Sequence, residues 1–487
     1  MAVPSPTPDV EAFRLLRAGR AAEALAYAEQ AVGERRVCVP AHGLLAAVLL
    51  ALGRADDAEE VVGNALACAP GSADAYDALA HVSMQLGKHA RANELYRRAV
   101  EREPTSARFR YNLASSERSF GRLLEAETAC DEAIALDPNH HPSYLLRSEL
   151  RVQTDAANHV DELQRRLADP AADHRIRIFL GYALGKELDD LARFDEAFRC
   201  FHDAASLRRR HLAYDVAADE HKLRRITETE TRASSAGSSA GDESARHIFI
   251  VGLPRSGTTL LERILSGLRG VRSNGETTNF SSALLGATPA GTDDVFARAT
   301  RADAATVAAT YERLAGGGTA DGRVIEKLPM NYLYLGAIHR ALPRAALLAL
   351  ARSPLDSCFA MYRTLFGEAY PFSYDFEDLA RYYASYRRLM EHWNTVLGER
   401  LCVVAYEDLV GQPRSAGAAL AAHCGLPWDD SAIDVHKNAA VSLTASAAQV
   451  RRPIYGSSSG RWRHYRRHLE PLVRALRQRG VPLPSDA

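Results

Sequence analysis

The sequence predicts an all-α solenoid of helical repeats followed by an α/β domain with a parallel sheet. Glycines recur at a fixed interval through the N-terminal part of the chain. A strand, a glycine-containing loop and a helix follow one another from His247 to Leu265, and a second strand–helix–strand unit lies between Val324 and Ala351. A chain of 487 residues is long for one domain, so we expect two or three.

The N-terminal repeat has a period of 34 residues, and three residue types keep this step. Glycine closes one helix and permits a tight turn, alanine lets the second helix lie close to the first, and proline ends the pair. The positions are Gly19, Gly53, Gly87 and Gly121, then Ala24, Ala58, Ala92 and Ala126, then Pro70, Pro104 and Pro138. The pattern resembles the tetratricopeptide repeat, whose units stack into a superhelix with a concave surface.

The period breaks after Pro138. A segment that resembles another second helix starts at Ala192, which is 71 residues after Gly121 and three more than two periods. We interpret residues 150–205 as degenerate repeats that cap a solenoid of about five units. Two roles stay open for the repeats, because their groove could bind the acceptor or a partner protein, or they could only brace the next domain.

A linker separates the predicted solenoid from the α/β domain. Residues 211–231 are charged and helical in pattern, and the stretch from Thr231 to Arg246 is rich in Ser, Gly and Ala, which is typical of a flexible tether. The predicted domains are therefore a tetratricopeptide-repeat solenoid at 1–205, a linker at 206–246 and an α/β domain at 247–487.

Composition and charge disfavour several classes of protein. The formal net charge of −1 gives no argument for a nucleic-acid partner or a membrane surface. The start, MAVPSPTPDVEAF, lacks the pattern of a signal peptide, and no apolar run reaches the length of about 18 residues that spans a bilayer. The seven cysteines are scattered without a C-x-x-C pair, which favours a reducing cytoplasm over disulfide or zinc sites. We expect a cytoplasmic protein.

The loop after the first strand predicts an anion site. Ile248 to Val251 reads as a buried parallel strand, and helical periodicity continues from Leu260. Loop amides and the helix dipole favour a negative group at such a turn. Thr258 stands where a Walker A loop has its lysine, which disfavours a kinase or NTPase.

The loop motif LPRSGTT resembles the 5′-phosphosulfate loop of sulfotransferases, which use 3′-phosphoadenosine 5′-phosphosulfate (PAPS) on a three-layer, P-loop-type α/β fold. The resemblance implies PAPS as co-substrate and no metal, because the loop itself supplies cationic and amide donors. It assigns the phosphosulfate to Arg255, Ser256, Gly257, Thr258 and Thr259, with Arg255 also stabilising the departing phosphate.

A G-E element containing Glu276 follows in VRSNGETTNF. In the tyrosylprotein sulfotransferases and the bacterial sulfotransferases fused to tetratricopeptide repeats, the glutamate of this element is the general base that takes the proton of the acceptor hydroxyl. The resemblance assigns that role to Glu276. The tyrosylprotein enzymes have two consecutive glutamates here, whereas Thr277 follows in this chain. The alternative is that Glu276 caps a helix or pairs with an arginine.

Cationic residues follow the next two predicted strands. Lys327 stands at a strand end, where ligands of open α/β sheets lie, and resembles the lysine of the family's K-x-P element, which stabilises the leaving phosphate. Arg352 matches the 3′-phosphate arginine of the family motif R-x-P-x-D-x-x-x-S. Ala360 replaces the serine of that motif, so the 3′-phosphate is one donor short unless Arg363 or Ser357 compensates.

Two C-terminal elements complete the resemblance, which covers residues 247–475. Tyr406, in the Y-E-D-L element after another strand, matches a tyrosine that contacts the nucleotide. The arrangement Q-V-x-x-P…W resembles the tail of the tyrosylprotein-type enzymes, which folds over the nucleotide. This match implies cofactor contacts from Ser446 and Arg461.

The resemblance thus implies a PAPS-dependent sulfotransferase that acts on a hydroxyl acceptor. A peptide tyrosine, another phenol and a sugar hydroxyl all remain open as acceptors. Two competing interpretations are a P-loop kinase or NTPase, and a non-catalytic scaffold in which the sulfotransferase domain has decayed. Stabilisation by the product adenosine 3′,5′-bisphosphate (PAP) would favour the sulfotransferase, whereas stabilisation by Mg-ATP alone would favour the kinase or NTPase.

Overall fold

A computed structural model describes residues 7–34, 39–68, 71–231, 245–289, 291, 294–316, 322–438, 440–444 and 446–486. The chain divides into two compact units, Met1–Leu150 and Arg151–Ala487. Residues 151–205, which the sequence pattern assigns to the solenoid, therefore belong to the unit that contains the sheet.

The first unit is entirely helical in its described part. Its helices are α1 (Pro8–Arg17), α2 (Ala21–Glu34), α3 (Val39–Ala51), α4 (Ala55–Ala67), α5 (Ala73–Gln85), α6 (His89–Arg102), α7 (Ala107–Phe120), α8 (Leu123–Leu136) and α9 (His141–Glu149). The predicted helical repeats are confirmed.

The residues that keep the 34-residue step explain the repeat. All four turn glycines lie between consecutive helices, at φ between +72° and +80°. A residue with a side chain would pay about 1–2 kcal/mol in this left-handed conformation. The four repeated alanines are completely buried, so each allows its helix to pack closely. Of the repeated prolines, Pro70 lies outside the described residues.

The second unit begins with helices and continues as an α/β domain. The first helices are α10 (Val160–Leu167), α11 (His174–Asp190), α12 (Phe194–Arg210) and α13 (Val216–Thr229). Then follow β1 (His247–Gly252), α14 (Thr258–Ser266), β2 (Val271–Ser273), α15 (Asn279–Ala287), α16 (Val295–Ala299), α17 (Ala304–Ala315), β3 (Arg323–Lys327), α18 (Leu335–Ala341), β4 (Ala346–Ala351), α19 (Pro354–Tyr362), α20 (Phe376–Leu397), β5 (Leu401–Ala405), α21 (Tyr406–Gly411), α22 (Pro413–His423) and α23 (Glu470–Gln478).

The five strands form one parallel sheet in the order β2-β3-β1-β4-β5. Helices α14 and α22 pack their apolar side chains on one face, and Phe280 of α15 and Tyr311 of α17 pack against Phe249 of β1 on the other. This confirms the predicted three-layer α/β class. Ile250 pairs with Lys327 and Gly252 with Leu350, so the loops after β1, β3 and β4 leave the same edge of the sheet.

Helices α11 and α12 form a hairpin that packs within the second unit. Their turn residue is Ala192, at φ +57°, where the regular repeats have glycine. The Tyr182 hydroxyl donates to the Tyr362 carbonyl (3.2 Å), and Arg209 pairs with Asp378 (2.7 Å). The hairpin resembles a repeat in its form, but these contacts make it part of the α/β unit.

The linker predicted before the α/β domain consists of a charged helical segment and a tether. Helix α13 falls within the charged segment predicted to be helical, whereas residues 232–244 of the predicted tether lie outside the described residues. Across the described ranges, none of the helices is long and apolar enough to cross a bilayer.

Candidate active site

The loop between β1 and α14 has a backbone that few residue types tolerate. Gly257 has φ +110°, and a Cβ added there would lie 2.4 Å from Cδ2 of Tyr406. Arg255 has φ +65°, an uncommon conformation for a residue with a side chain. Helix α14 starts directly after Gly257, and its first N–H groups have no partners within the helix. The loop therefore presents backbone donors at a helix N-terminus.

This loop forms one wall of a cavity of about 200 Å³. Most of the predicted site residues line it, and three do not. Those that line it are Arg255, Gly257, Thr258, Thr259, Glu276, Arg352, Tyr406 and Ser446. The exceptions, Ser256, Lys327 and Arg461, are absent from the lining. Ser256 lies inside the loop, where its hydroxyl is buried and has no hydrogen-bond partner among the described residues.

One end of the cavity holds Glu276, with Lys327 behind it. The Lys327 ammonium is completely buried, lies 2.5 Å from Oε1 of Glu276 and lies 3.6 Å from Oε2 of Glu262. The Glu276 side chain is 32 % exposed and faces the cavity. Two carboxylates thus share one ammonium. Lys327 thus contacts the cavity wall at Glu276 and is not itself part of the lining.

The segment that carries Glu276 is fixed by strands β2 and β3. The Lys327 amide donates to the Gly275 carbonyl (3.0 Å). The Ser273 hydroxyl accepts from the Gly275 amide (3.0 Å) and donates to Oε1 of Glu262 (2.5 Å). These bonds hold the turn before Glu276 on both sides. Residues Glu262 and Ser273 carried no motif signal in the sequence.

Aromatic side chains stand beside Glu276. Phe366 and Tyr370 line the cavity, and Tyr370 has φ +53°. Burial raises the pKa of Tyr370 to about 12, and the Glu276 carboxylate adds to the shift. Tyr370 therefore keeps its proton at neutral pH.

Glu326 precedes Lys327 on β3 and is also completely buried. Its Oε1 accepts from the Phe280 amide (3.4 Å) and from Nδ2 of Asn331 (3.2 Å). Burial raises the pKa of Glu326 to about 7, although these hydrogen bonds oppose the shift. Since successive residues of a strand point to opposite faces, Glu326 lies across the sheet from the Glu276–Lys327 pair.

The other end of the cavity is built on Arg352. Its Nη1 donates to the Arg255 carbonyl (2.8 Å), and its Nη2 donates to the Ser458 carbonyl. Its guanidinium lies 4.5 Å from the ring centroid of Tyr406, the residue that packs on Gly257. Burial lowers the pKa of Arg352. Arg352 thus connects the loop to the C-terminal tail.

The C-terminal tail (residues 446–465) lies on the loop. Ser446 and Gln449 accept hydrogen bonds from the Arg255 guanidinium, the latter at 2.9 Å. The Asp356 carboxylate on α19 accepts from the backbone amides of Gly460 (2.7 Å) and Trp462 (3.3 Å). Hydrogen bonds to the loop and to α19 therefore hold the tail in place.

Arg461 is bonded to a residue that the sequence analysis did not single out. Its Nη2 and Nε donate to Oδ2 of Asp189, at 2.6 and 3.2 Å, on the last turn of α11. The same oxygen accepts from Nη1 of Arg363 (2.7 Å), and the Tyr465 hydroxyl donates to Oδ1. Burial alone would raise the pKa of Asp189, but Arg363 and Arg461 hold it below its usual range. No sequence motif marks Asp189.

The described residues contain no group of three or more His, Cys, Asp or Glu side chains that could hold a metal ion. The six cysteines among them are all free. The cavity itself is lined by a glycine loop, arginines, hydroxyl groups and the Glu276 carboxylate.

Comparisons with known families agree with this geometry. Residues 247–430 match a family model described as a sulfotransferase family. Residues 15–82 and 78–141 match two models described as tetratricopeptide repeats. The chain carries a sulfotransferase-family domain and tetratricopeptide repeats.

Individual relatives are more distant. An uncharacterized protein of Aquifex aeolicus (strain VF5) is 28 % identical over 375 residues, which cover 74 % of this chain. The match spans only 49 % of that relative's own length. Among solved structures, the sulfotransferase domain of the Synechococcus PCC 7002 olefin synthase is 18 % identical, with 51 % of this chain and 99 % of that chain covered and a TM-score of 0.31. YrrB, a tetratricopeptide-repeat protein with an unusual peptide-binding site, is 18 % identical, with 39 % of this chain and 89 % of that chain covered and a TM-score of 0.25.

Proposed function

We propose that the second unit transfers a sulfuryl group from PAPS to a hydroxyl acceptor. One observation carries the proposal: a single cavity is lined by the glycine loop, by Glu276 and by Arg352. The sulfotransferase-family match over 247–430 supports the reaction class. The loop, G-E and tail motifs support a donor site similar to that of the tyrosylprotein sulfotransferases.

The residues of the loop fit a phosphosulfate group. The buried Ser256 hydroxyl has no partner in the described part of the chain, and a sulfuryl or phosphate oxygen is a suitable acceptor for it. The amides that open α14 and the Arg255 guanidinium add donors for the same group. Arg352 holds the 3′-phosphate, and Tyr406 contacts the nucleotide between these two groups.

Glu276 acts as the general base of the transfer. The acceptor oxygen attacks sulfur while the bond from sulfur to the bridging phosphate oxygen breaks, and the electron pair leaves with PAP. Glu276 takes the proton of the acceptor hydroxyl, and Lys327 and Arg255 neutralise charge that develops on the leaving phosphate. The 2.5 Å contact between Lys327 and Glu276 keeps both groups at the same end of the cavity.

The acceptor is a peptide tyrosine or another phenol or sugar hydroxyl. Phe366 and Tyr370 beside Glu276 provide apolar surface for it. The tetratricopeptide repeats bind the acceptor or a partner protein, since such repeats commonly present a concave binding surface. The scattered cysteines, free where described, support a cytoplasmic location.

Two measurements test the proposal on the full chain. PAP should raise the melting temperature, whereas Mg-ATP alone should not; the reverse would indicate a kinase or NTPase. Incubation with ³⁵S-labelled PAPS and cell lysate should label an acceptor, which can then be identified. Stabilisation by PAP without any labelled product would favour the non-catalytic scaffold.

A further inference from the structure

Asp189 lies on the last turn of α11 and is bonded to Arg363, which lines the cavity. Its side chain is 4 % exposed and is the shared acceptor of Arg363, Arg461 and Tyr465. The helix that carries it belongs to the helical region before the sheet, 174 residues from Arg363 in sequence. A buried carboxylate in such a position needs compensating donors, and all three of these partners come from the α/β part of the unit.

Only one of the two arginines bonded to Asp189 reaches the cavity. Arg363 follows α19 directly and lines the cavity together with Ala360 and Arg352. Arg461 is not part of the lining. Arg363 is therefore the residue through which Asp189 can affect a ligand.

We infer that Asp189 is a positioning residue for the 3′-phosphate site, because it holds Arg363 in the cavity wall one turn from Ala360. The inference rests on the proposed function. Ala360 leaves the site without the motif's serine hydroxyl, and a fixed guanidinium beside it supplies donors in its place. Asp189 itself does not touch the ligand.

The hydrogen bond to Asp189 leaves Arg363 able to bind an anion. A guanidinium carries five N–H donors, and the bond to Asp189 uses Nη1. Arg352 and Arg363 line the cavity, whereas the carboxylates near them, Asp189, Asp356 and Glu407, are absent from its lining, so positive charge faces a phosphate there. The bond to Asp189 holds one edge of the Arg363 guanidinium group, so Arg363 loses less conformational entropy when a ligand binds. The carboxylate therefore orders Arg363 without cancelling its charge.

The test compares two nucleotides that differ only in the 3′-phosphate. Calorimetry on the full chain measures affinities for PAP and for adenosine 5′-monophosphate (AMP). In Asp189→Asn the preference for PAP over AMP should fall roughly five- to tenfold, the size of one charge-assisted hydrogen bond, with AMP affinity unchanged. The matched control is Asp190→Asn. Its carboxylate pairs with Lys186 (2.6 Å) and accepts from the Gln153 amide (2.8 Å), and this variant should keep the wild-type preference.

Each other outcome has a defined meaning. An unchanged or increased PAP preference in folded Asp189→Asn overturns the inference, since Asp189 would then be structural or would compete with the phosphate. If Asp189→Asn does not fold, Tyr465→Phe decides, because it removes a hydrogen bond to Asp189 and no charge. A fall of roughly twofold in the preference supports the inference, and no fall overturns it. Failure of the proposed function is distinct: wild-type protein would then show no preference for PAP over AMP.

Discussion

The two ends of the cavity have opposite balances of charge. At the Glu276 end two carboxylates share the single ammonium of Lys327. At the Arg352 end the guanidinium groups of Arg352 and Arg363 line the cavity, whereas the carboxylates near them, Asp189, Asp356 and Glu407, are absent from its lining. An excess of carboxylate suits proton removal, and an excess of guanidinium suits phosphate binding. The difference predicts that substitutions at the first end change turnover and those at the second change affinity.

The largest effect is expected for Glu276→Gln. The amide keeps the size of the side chain and cannot take a proton, so turnover should fall roughly 10²- to 10⁴-fold, the usual contribution of a positioned base. PAP affinity, measured by calorimetry, should stay near the wild-type value.

The matched control is Glu326→Gln. Glu326 is a buried carboxylate of β3 that lies across the sheet from Glu276. The amide oxygen of the variant can still accept from Phe280 and Asn331. Turnover comparable to wild type is expected at neutral pH. If Glu276→Gln kept its turnover, or lost it only in proportion to a lower melting temperature, Glu276 would return to a structural role.

Lys327→Met tests whether the charge pairing at the Glu276 end also stabilises the fold. Removal of the ammonium leaves Glu262 and Glu276 as neighbouring carboxylates without their buried counter-charge. We expect a loss on the order of 3 kcal/mol in the free energy of unfolding, the lower part of the range for a broken buried pair because Glu276 is partly exposed. The additional substitution Glu276→Gln should restore part of the loss. A denaturation midpoint equal to that of wild type would contradict the pairing argument.

Arg255→Ala and Arg352→Ala separate the two groups of the donor. PAPS and adenosine 5′-phosphosulfate share the 5′ group, so Arg255→Ala should weaken the binding of both. Arg352→Ala should weaken PAPS alone, by about 1.5–3 kcal/mol, since its charge-assisted contact is to the 3′-phosphate. Equal losses for both ligands in Arg352→Ala would show that Arg352 acts through the loop and the tail that it bridges.

A pH titration of stability tests the raised pKa of Glu326. Because burial raises the pKa of Glu326 to about 7, the folded protein holds a proton that the unfolded chain releases near its ordinary value of 4.5. This contribution to stability is present below about pH 4.5 and is lost as the pH rises through 7. Glu326→Gln should therefore gain stability relative to wild type between pH 5 and pH 8, on the order of 2 kcal/mol. A difference between the two proteins that is constant with pH would contradict the raised pKa.

The smallest effect is expected for Ala360→Ser at the Arg352 end. Ala360 lines the cavity with Arg352 and Arg363, so a hydroxyl there can donate to the 3′-phosphate. One hydrogen bond to a charged oxygen adds about 1.5 kcal/mol, which is up to tenfold in PAP affinity, with unchanged thermal stability. Unchanged or weaker binding would mean that an ordered water already fills the place of the hydroxyl, so that the new side chain only displaces it.

The fold could be predicted where the signal is periodic or local. The 34-residue step gives the repeats, and the strand and helix predicted around the glycine loop from His247 to Leu265 are β1 and α14. Strand β2 was missed because its three residues are too few to show a pattern. The sequence pattern of a helical hairpin favours the assignment of 150–205 to the solenoid. Contacts of α11 and α12 with the α/β part place both helices in the second unit instead.

The candidate site could be predicted where a motif is continuous along the chain. Short motifs predicted the glycine loop and Glu276 as site residues, and both line the cavity. The pairing of Arg461 with Asp189 joins residues 272 positions apart, and no local pattern encodes such a contact. The same limit applies to Glu262, whose bond to Ser273 depends on how α14 packs beside β2.

The boundary between Leu150 and Arg151 has a consequence for how such genes can be rearranged. Deletion or exchange of whole repeats upstream of this point leaves Asp189 and its arginines intact. A cut at 205 or 246, which the repeat pattern alone would suggest, removes Asp189 and leaves Arg363 and Arg461 without their shared carboxylate. Recombination that preserves the Arg352 end of the cavity must therefore transmit the α11–α12 hairpin with the sheet, as one heritable module.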